Sequence, residues 1–533
     1  MKQNKLYEKL NNLLMIFLVL QPVLDVYMAL VGNAFDIFGI SIATLIRTIF
    51  VITIFAIVVI SQIKYKYHTK YAYAILGYLG AVILYSLLHH INIVSFNGYF
   101  ITEGMYSFLT EILYVLRLII PVFLIYVVII TKPSKEDLFK VIIAVVAFIS
   151  FVIIITNIFE VSYASYSQTN GRIEYNVIDW FVKDDLTYDK TLSKGYFVSA
   201  NQIGALLVFL LPMTIYYTVR ESKWYLYIIM LLQVVSMVLV GTRVANYGWI
   251  LVFTAMIVMY TVLYFTKSYK LKLQNIIGLC IVLIVAVVLY THSPSHTRSF
   301  ASEYEGMYDE EMVEIDQAQY LSVEEFRKIL ADETKFKKYT KGLEGDLVTS
   351  AKSKYISEMY KYHYITNKYI LEIYPYQDDL DFWLEIFNMP IAIKGDNRGR
   401  QVAIIKRIKH NNDNLLLDTL FGMGATPLNS RGYMIENDLI SHYYNLGIIG
   451  IILFISPFLL GIVYSLYRCR KHLFDIINME FAVYVLAIVM TYFTGYFAGH
   501  VIDEYIISIY LGVVAGIVTN FYRGEKIDEK TKT

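Results

Sequence analysis

Charge is scarce in this chain. Of 533 residues only 17% are Asp, Glu, Lys or Arg, while 57% are hydrophobic and the mean hydropathy is +0.51. Soluble domains carry roughly one quarter charged residues, so a soluble globular fold is excluded and an all-α polytopic membrane protein is expected. The 46 basic and 45 acidic residues nearly cancel, and in a membrane protein the side on which each charge lies matters more than the sum. No nucleic-acid partner is expected. Cysteine is almost absent: Cys280 sits inside an apolar run and Cys469 in a basic connection. The topology derived below places them far apart, which argues against a disulfide or a thiolate metal site. No phosphate-cradling Gly-x-x-x-x-Gly-Lys, His-Glu-x-x-His or nucleophilic-serine elbow occurs, so ATP-driven transport and metalloprotease chemistry lack support. No small-x-small cleavage site follows the first apolar run, which reads as an uncleaved span. No internal repeat is visible.

What the chain has in abundance is apolar length. Crossing a bilayer takes about 20 residues, and about twelve runs qualify. They cover 12–31, 40–61, 71–89, 107–130, 138–159, 196–218, 223–241, 245–266, 273–291, 438–466, 478–496 and 500–521. Lysines and arginines orient them. Lys2, Lys5 and Lys9 precede the first span; Lys64, Lys66 and Lys70 follow the second; Lys132 and Lys135 the fourth; Arg220 and Lys223 the sixth. Lys267, Lys270 and Lys272 follow the eighth, Arg468, Arg470 and Lys471 the tenth, and Arg523 and Lys526 the last. Every even connection is basic, so both termini are expected in the cytoplasm. The expected division is residues 1–290 with spans one to nine, 291–437 as a large, mostly helical extracellular loop, and 438–533 with spans ten to twelve and a cytoplasmic tail.

The loop carries helix signals of its own. Ser322 with Glu325 fits a capping box opening VEEFRKILADE, and helical patterns follow around Lys352–Ile373 and Asp379–Phe387. Its start is acidic (Asp309, Glu310, Glu311, Glu314, Asp316) and its end basic (Lys394, Arg398, Arg400, Lys406, Arg407, Lys409). Asp379-Leu380-Asp381 superficially matches a metal-holding Asp-x-Asp, but no nucleotide-binding α/β domain accompanies it, and it reads as negative charge at a helix start.

Polar residues within spans are costly and are candidates for function. Arg47 lies about seven residues, roughly 10 Å, below the outer end of span two. Glu111 and Arg117 lie in the outer half of span four, Asp25 near the outer end of span one, and Arg243 at the outer junction of spans seven and eight. Asn201 and Gln202 open span six, and His500 opens span twelve. All fall in one half of the membrane, which predicts a polar cavity facing outward. The plainer alternatives are ion pairs of Asp25 or Glu111 with Arg47 or Arg117, snorkelling for Arg243, and an interfacial carbonyl-bonded His500. His89, His90, His292 and His296 sit at span ends in no ligand spacing and read as structural. The 48 tyrosines read as interfacial belts and core packing. The stretch MIENDLISHYYNLGIIG, from Met434 to Gly450, sets Glu436, Asn437 and Asp438 at the start of an apolar run whose Gly447 and Gly450 permit close backbone approach.

Four motifs together resemble the O-antigen ligase and polysaccharide polymerase superfamily of bacterial membrane proteins: YFVSANQIGALL, GTRVANYG, GDNRGRQ followed by LFGMG, and ENDLISHYYNLGIIG. The likeness is best over residues 196–290 and 394–520; the first 190 residues agree in topology. Where many ligases carry a His-Asn pair ahead of the glycine corresponding to Gly447, this chain has Glu436-Asn437, which looks more like the polymerase-type members.

The resemblance implies transfer of a glycan from a polyprenyl-diphosphate-linked oligosaccharide, such as an undecaprenyl diphosphate donor, to a sugar hydroxyl at the outer face of a bacterial cell membrane, in capsule or exopolysaccharide biosynthesis. No cofactor and no metal is expected: arginines in a low-dielectric cavity stabilise the charge developing on the diphosphate. Arg243 with Arg398 or Arg400 suits that role, with Arg47 and Arg117 second. The attacking hydroxyl needs a base, for which Glu436 comes first and Asp438 second. Asp438 and His442, four apart, share a helix face. Asn201, Asn437 and His500 complete the expected substrate-binding set. Beyond donor, glycan acceptor and lipid bilayer, the same likeness suggests other polysaccharide export and assembly proteins as partners. The alternatives are an O-antigen-type ligase with a different acceptor, a transporter of lipid-linked saccharide, and a non-catalytic scaffold. A transporter would place its charges near the midplane and show paired broken helices; here the charges are biased outward.

Overall fold

A computed structural model describes residues 2–32, 40–95, 106–167, 171–184, 186–265, 272–296, 321–362, 374–390, 397–412, 415–426, 435–470 and 478–528. The acidic start of the loop and Lys394 lie outside the described residues, as does the end of the helical pattern expected to reach Ile373. Among the described residues the chain is helical, with two isolated β-bridges and no strand. Among the described residues ten helices are long and apolar enough to cross a membrane, and two shorter apolar ones are Trp224–Val240 and Tyr505–Phe521. The protein is a multi-pass membrane protein.

The chain divides into two compact units: residues 1–86, 113–299 and 451–533 form one, and 87–112 with 300–450 the other. The ends of two apolar helices, residues 87–94 and 108–112, thus cluster with residues 300–450.

The first unit contains α1 (Lys2–Val31), α2 (Ile42–Lys64), most of α3 (Thr69–Val94) and α4 (Phe108–Thr131), then α5 (Lys135–Ile158), α6 (Ala200–Glu221), α7 (Trp224–Val240), α8 (Arg243–Phe265) and α9 (Leu273–His292). Sequence signals start and stop these helices. Ser41 and Ser134 cap α2 and α5 by accepting the N–H groups of Thr44 and Asp137, and Gly241, at φ 63, ends α7 in the left-handed region. α6 is the centre of the unit: most of it is buried, and it packs on α7, α8 and a late helix, Met479–Ala498. Hydrocarbon offers no hydrophobic drive to pair helices, so close packing and polar bonds must do it. Tyr217 and Tyr484 join their hydroxyls at 2.7 Å within that contact. In the connection from Glu160 to Gly195 the described backbone bonds to itself and to Leu239, and Asn157 ties it to α5 by bonds to Ser193 and Val177.

The second unit is a folded helical body. It has α10 (Val323–Ala331), α11 (Glu333–Tyr339), α12 (Leu347–Tyr362), α13 (Leu380–Asn388), α14 (Asn397–His410), α15 (Leu415–Phe421) and α16 (Asp438–Gly450). The Ser322–Glu325 capping box forms as expected. Phe326, Tyr355, Trp383, Phe387, Ile404 and Ile408 fill the core. Asp379 caps α13 through the Phe382 N–H and takes two bonds from Arg407, at 2.8 and 3.2 Å. Partial burial works against the charge of Asp379, but the bonds from Arg407, Tyr374 and Phe382 hold its carboxyl below the usual range.

The remaining helices, α17 (Pro457–Cys469), α18 (Met479–Ala498) and α19 (Tyr505–Asp528), belong to the first unit. The run 438–466, expected as one span, is broken. Gly447 takes φ 68 and ψ −177 inside α16, and residues Ile451–Ile455 form a π-helical turn before α17.

Candidate functional site

Of the ten residues singled out by sequence, Arg47, Arg117, Asn201, Arg243 and His500 lie in the first unit, and Arg398, Arg400, Glu436, Asn437 and Asp438 in the second.

In the first unit the arginines of α2 and α4 are held by protein groups. Arg47, 3% exposed, gives its Nε–H to Gln21 Oε1 at 2.9 Å and an Nη2–H to the Gln21 carbonyl at 3.2 Å. Asp25 and Glu504 supply balancing negative charge. Arg117 pairs with Glu504, and its Nη2 lies 3.7 Å from Asp503 Oδ2. Glu504 also interacts with His500, which stands in the left-handed region at φ 53 after Gly499. Lys194 gives its proton to the Val198 carbonyl, while the Val198 N–H bonds to Asp25. Burial pushes the Lys194 ammonium below its ordinary range, with Asp25 opposing. Arg47, Arg117 and His500 thus gather around Glu504, with Asp25, Asp503 and Lys194 completing a charge-balanced network. Asp25 accompanies Arg47, as one of the expected pairs had it, but Arg117 takes Asp503 and Glu504 from the turn before α19. Arg243 is the first residue of α8, where the Thr242 hydroxyl caps the Ala245 N–H, and Asn201 is exposed on the first turn of α6.

In the second unit Glu436 and Arg398 form an ion pair at 3.4 Å, with side chains 47% and 35% exposed. The Glu436 N–H bonds to Gln401 Oε1 at 2.9 Å, which fixes the approach to α16. Asn437 is the cap of that helix, its Oδ1 accepting the Ile440 N–H at 3.0 Å. Asp438 follows at the helix start, buried, where the helix dipole favours a negative charge. His442 meets the backbone carbonyl of Asp438 through Nδ1. Arg400 lies on the buried face of α14 with Ile404 and Ile408. Of the other basic residues of α14, Arg407 serves Asp379 and Lys409 donates to the Tyr443 hydroxyl at 2.9 Å.

The second unit also holds a polar cluster that spacing did not reveal. His89, read above as structural, is 1% exposed, with Nε2 3.0 Å from Glu111 Oε1 and Nδ1 bonded to the Phe421 carbonyl. Glu111 accepts the N–H groups of Ala425 and Thr426, at 3.0 and 2.9 Å, and the Thr426 hydroxyl. Asn92 donates to Asp418 Oδ1 and to the Gly422 carbonyl, and Asn412 to the other oxygen of Asp418. Burial pushes the Asp418 carboxyl up, against the pull of Asn412, Asn92 and Lys409. The one sequence signal was the cost of Glu111 in a span; its partner His89 is not an arginine, as had been expected, but an imidazole 22 residues earlier.

Membrane-length helices, a second helical unit, polar groups buried within apolar helices and an acid–guanidinium pair at a helix start define an all-α polytopic membrane protein equipped for polar chemistry. The chain belongs to the family described as O-antigen ligase like membrane protein, whose family model matches residues 7–521. The family points to a membrane enzyme that transfers glycan. A search of curated proteins finds no match.

Proposed function

We propose that this protein polymerises a cell-surface polysaccharide, moving a glycan from a polyprenyl-diphosphate-linked donor to a sugar hydroxyl at the outer face of a bacterial membrane, with both termini in the cytoplasm. In the reaction the acceptor oxygen bonds to the anomeric carbon and the bond from that carbon to the diphosphate oxygen breaks. The acceptor proton passes to a carboxylate, and polyprenyl diphosphate leaves. Glu436 takes the proton, with Asp438 second. Arg243, with Arg398 or Arg400, binds and neutralises the diphosphate, with Arg47 and Arg117 supporting, and Asn201, Asn437 and His500 contact the glycan.

The observation that carries this reading is the Glu436–Arg398 pair. It is a water-accessible carboxylate beside a guanidinium, held by Gln401 and by the start of α16. Such a pair offers both a proton acceptor and an anion-binding group in one place.

The test is reconstitution with a lipid-diphosphate oligosaccharide, without ATP and in excess EDTA. Wild type is expected to lengthen the glycan, and Glu436→Gln and Arg243→Ala each to lose about 100-fold or more in rate. Full activity in both variants removes these residue roles. Loss of wild-type activity in EDTA removes the metal-free chemistry, and transfer only to a different class of acceptor makes the protein a ligase.

A further inference from the structure

Five consecutive residues, Gly422–Thr426, are buried, and the first four have no regular secondary structure at a place where unsatisfied backbone is costly. Each N–H nevertheless has a partner. Gly422 bonds to the Asp418 carbonyl at 2.9 Å, closing α15; Met423 to the Tyr444 carbonyl at 2.8 Å; Gly424 to the Asn445 carbonyl at 3.0 Å. Ala425 and Thr426 both bond to the carboxyl of Glu111. Two carbonyls at the entry to this turn are taken by side chains from α3: Phe421 by His89 and Gly422 by Asn92.

Two of these bonds exist because α16 is broken. At Gly447 the chain leaves the helical region, so Tyr444 and Asn445 keep carbonyls that a continuous helix would have used, and the turn supplies their donors. The turn is thereby fastened to α16 on one side and to Glu111 on the other. The Phe421 carbonyl can only accept, so His89 Nδ1 bears a hydrogen; Nε2 faces a carboxyl oxygen, so His89 and Glu111 hold one further proton between them. A buried carboxyl that takes two main-chain N–H groups, a hydroxyl and an imidazole has its bonding capacity filled by this one task.

We propose that Glu111 and His89 are positioning residues: they hold the Gly422–Thr426 turn against α16 and so set where the start of that helix places Asp438 and, two residues ahead of it, Glu436. The proposal rests on the glycan-transfer reading above. Neither residue touches substrate; both act through the turn and the helix.

The test uses full-length protein in lipid nanodiscs and two measurements. Hydrogen exchange of peptides spanning residues 423–426 is followed in wild type, Glu111→Gln and Glu111→Ala, together with kcat and KM for transfer. The glutamine substitution keeps the volume but turns an N–H donor on the turn's own donors, and the alanine substitution removes every bond. Exchange at the turn is expected to quicken about 10-fold in the glutamine variant and more in the alanine variant. The rate kcat should fall about 10-fold or more while KM stays within about twofold, because the lost interaction orients the reacting groups and does not bind substrate. His89→Gln, which keeps a donor for one acceptor only, should show a smaller change in the same direction. Wild-type exchange in both Glu111 variants, or a raised KM at constant kcat, overturns the proposal. Wild-type protein that transfers no glycan overturns the reaction and the positioning role together; failure of the turn contacts alone is told apart from it, because transfer then proceeds while exchange stays unchanged.

Discussion

Replacing Gly447 by alanine should unfold the second unit's contact between α15 and α16. A β-carbon there would stand 2.5 Å from the Gly422 nitrogen and from the Leu420 carbonyl, whereas ordinary contact begins at 3.4 Å, so the backbones must part by about 0.9 Å. That retreat stretches the Met423–Tyr444 and Gly424–Asn445 bonds, now 2.8 and 3.0 Å, beyond hydrogen-bonding range. Two buried N–H groups then lose their partners at about 1–3 kcal/mol each. Holding a β-carbon at φ 68 and ψ −177 adds about 1–3 kcal/mol, because only glycine occupies that region without strain. The expected loss is on the order of 3–9 kcal/mol, enough to remove the fold of this unit. Gly422→Ala should behave alike, since its β-carbon would meet the Gly447 nitrogen at 2.6 Å and come closer still to the Asn445 carbonyl. The control is Gly80→Ala in α3, where nothing lies within 4 Å of the added atom; it should be neutral or stabilise by up to about 1 kcal/mol. The assay is thermal unfolding in detergent, read by monodispersity, with proteolysis of the second unit as the local probe. A Gly447→Ala protein that melts with wild type and resists protease equally would refute the reasoning.

Arg117→Met should destabilise the first unit by about 3 kcal/mol, because Glu504 and Asp503 lose their counter-charge, and the double variant Arg117→Met/Glu504→Gln should recover part of the loss; a double variant no more stable than the single one speaks against the pairing. Asp418 titrates above its usual 3.8 in the folded state, so the stability it lends is complete below the unfolded value and drains away as pH rises through the raised one. Melting temperature should therefore fall from pH 4 to pH 7 more steeply in wild type than in Asp418→Asn, and parallel curves would contradict the burial argument. Ser322→Ala removes half of the capping box and should cost α10 about 1 kcal/mol, seen as faster exchange of its first-turn amides.

Much of this architecture was legible from local pattern. Apolar runs announced the long helices, Ser322 with Glu325 announced α10, and Asp379 before Phe382 read as the helix start that it is. Gly447 was expected to allow a second backbone close by, and that backbone is Gly422. Hydropathy could not reveal that the same glycine breaks the run, since a break leaves composition unchanged. The site was less legible. Glu436, Asn437 and Asp438 stood out as polar residues before an apolar run, but spacing could not tell that Asn437 would cap α16 through its Oδ1 and Asp438 lie buried while Glu436 faced Arg398.

By itself the sequence settled what depends on neighbours along the chain: membrane-length helices, their caps, and which residues would be costly to bury. Tertiary structure alone decided how each charge set among apolar helices is satisfied. Glu111 meets His89 and a turn more than 300 residues away, and Arg117 meets Asp503 and Glu504 at a similar remove. A buried charge demands a partner, yet any polar group of the right sign that packing brings within reach will serve. The demand is written in local composition; the choice of partner is made only when the helices meet.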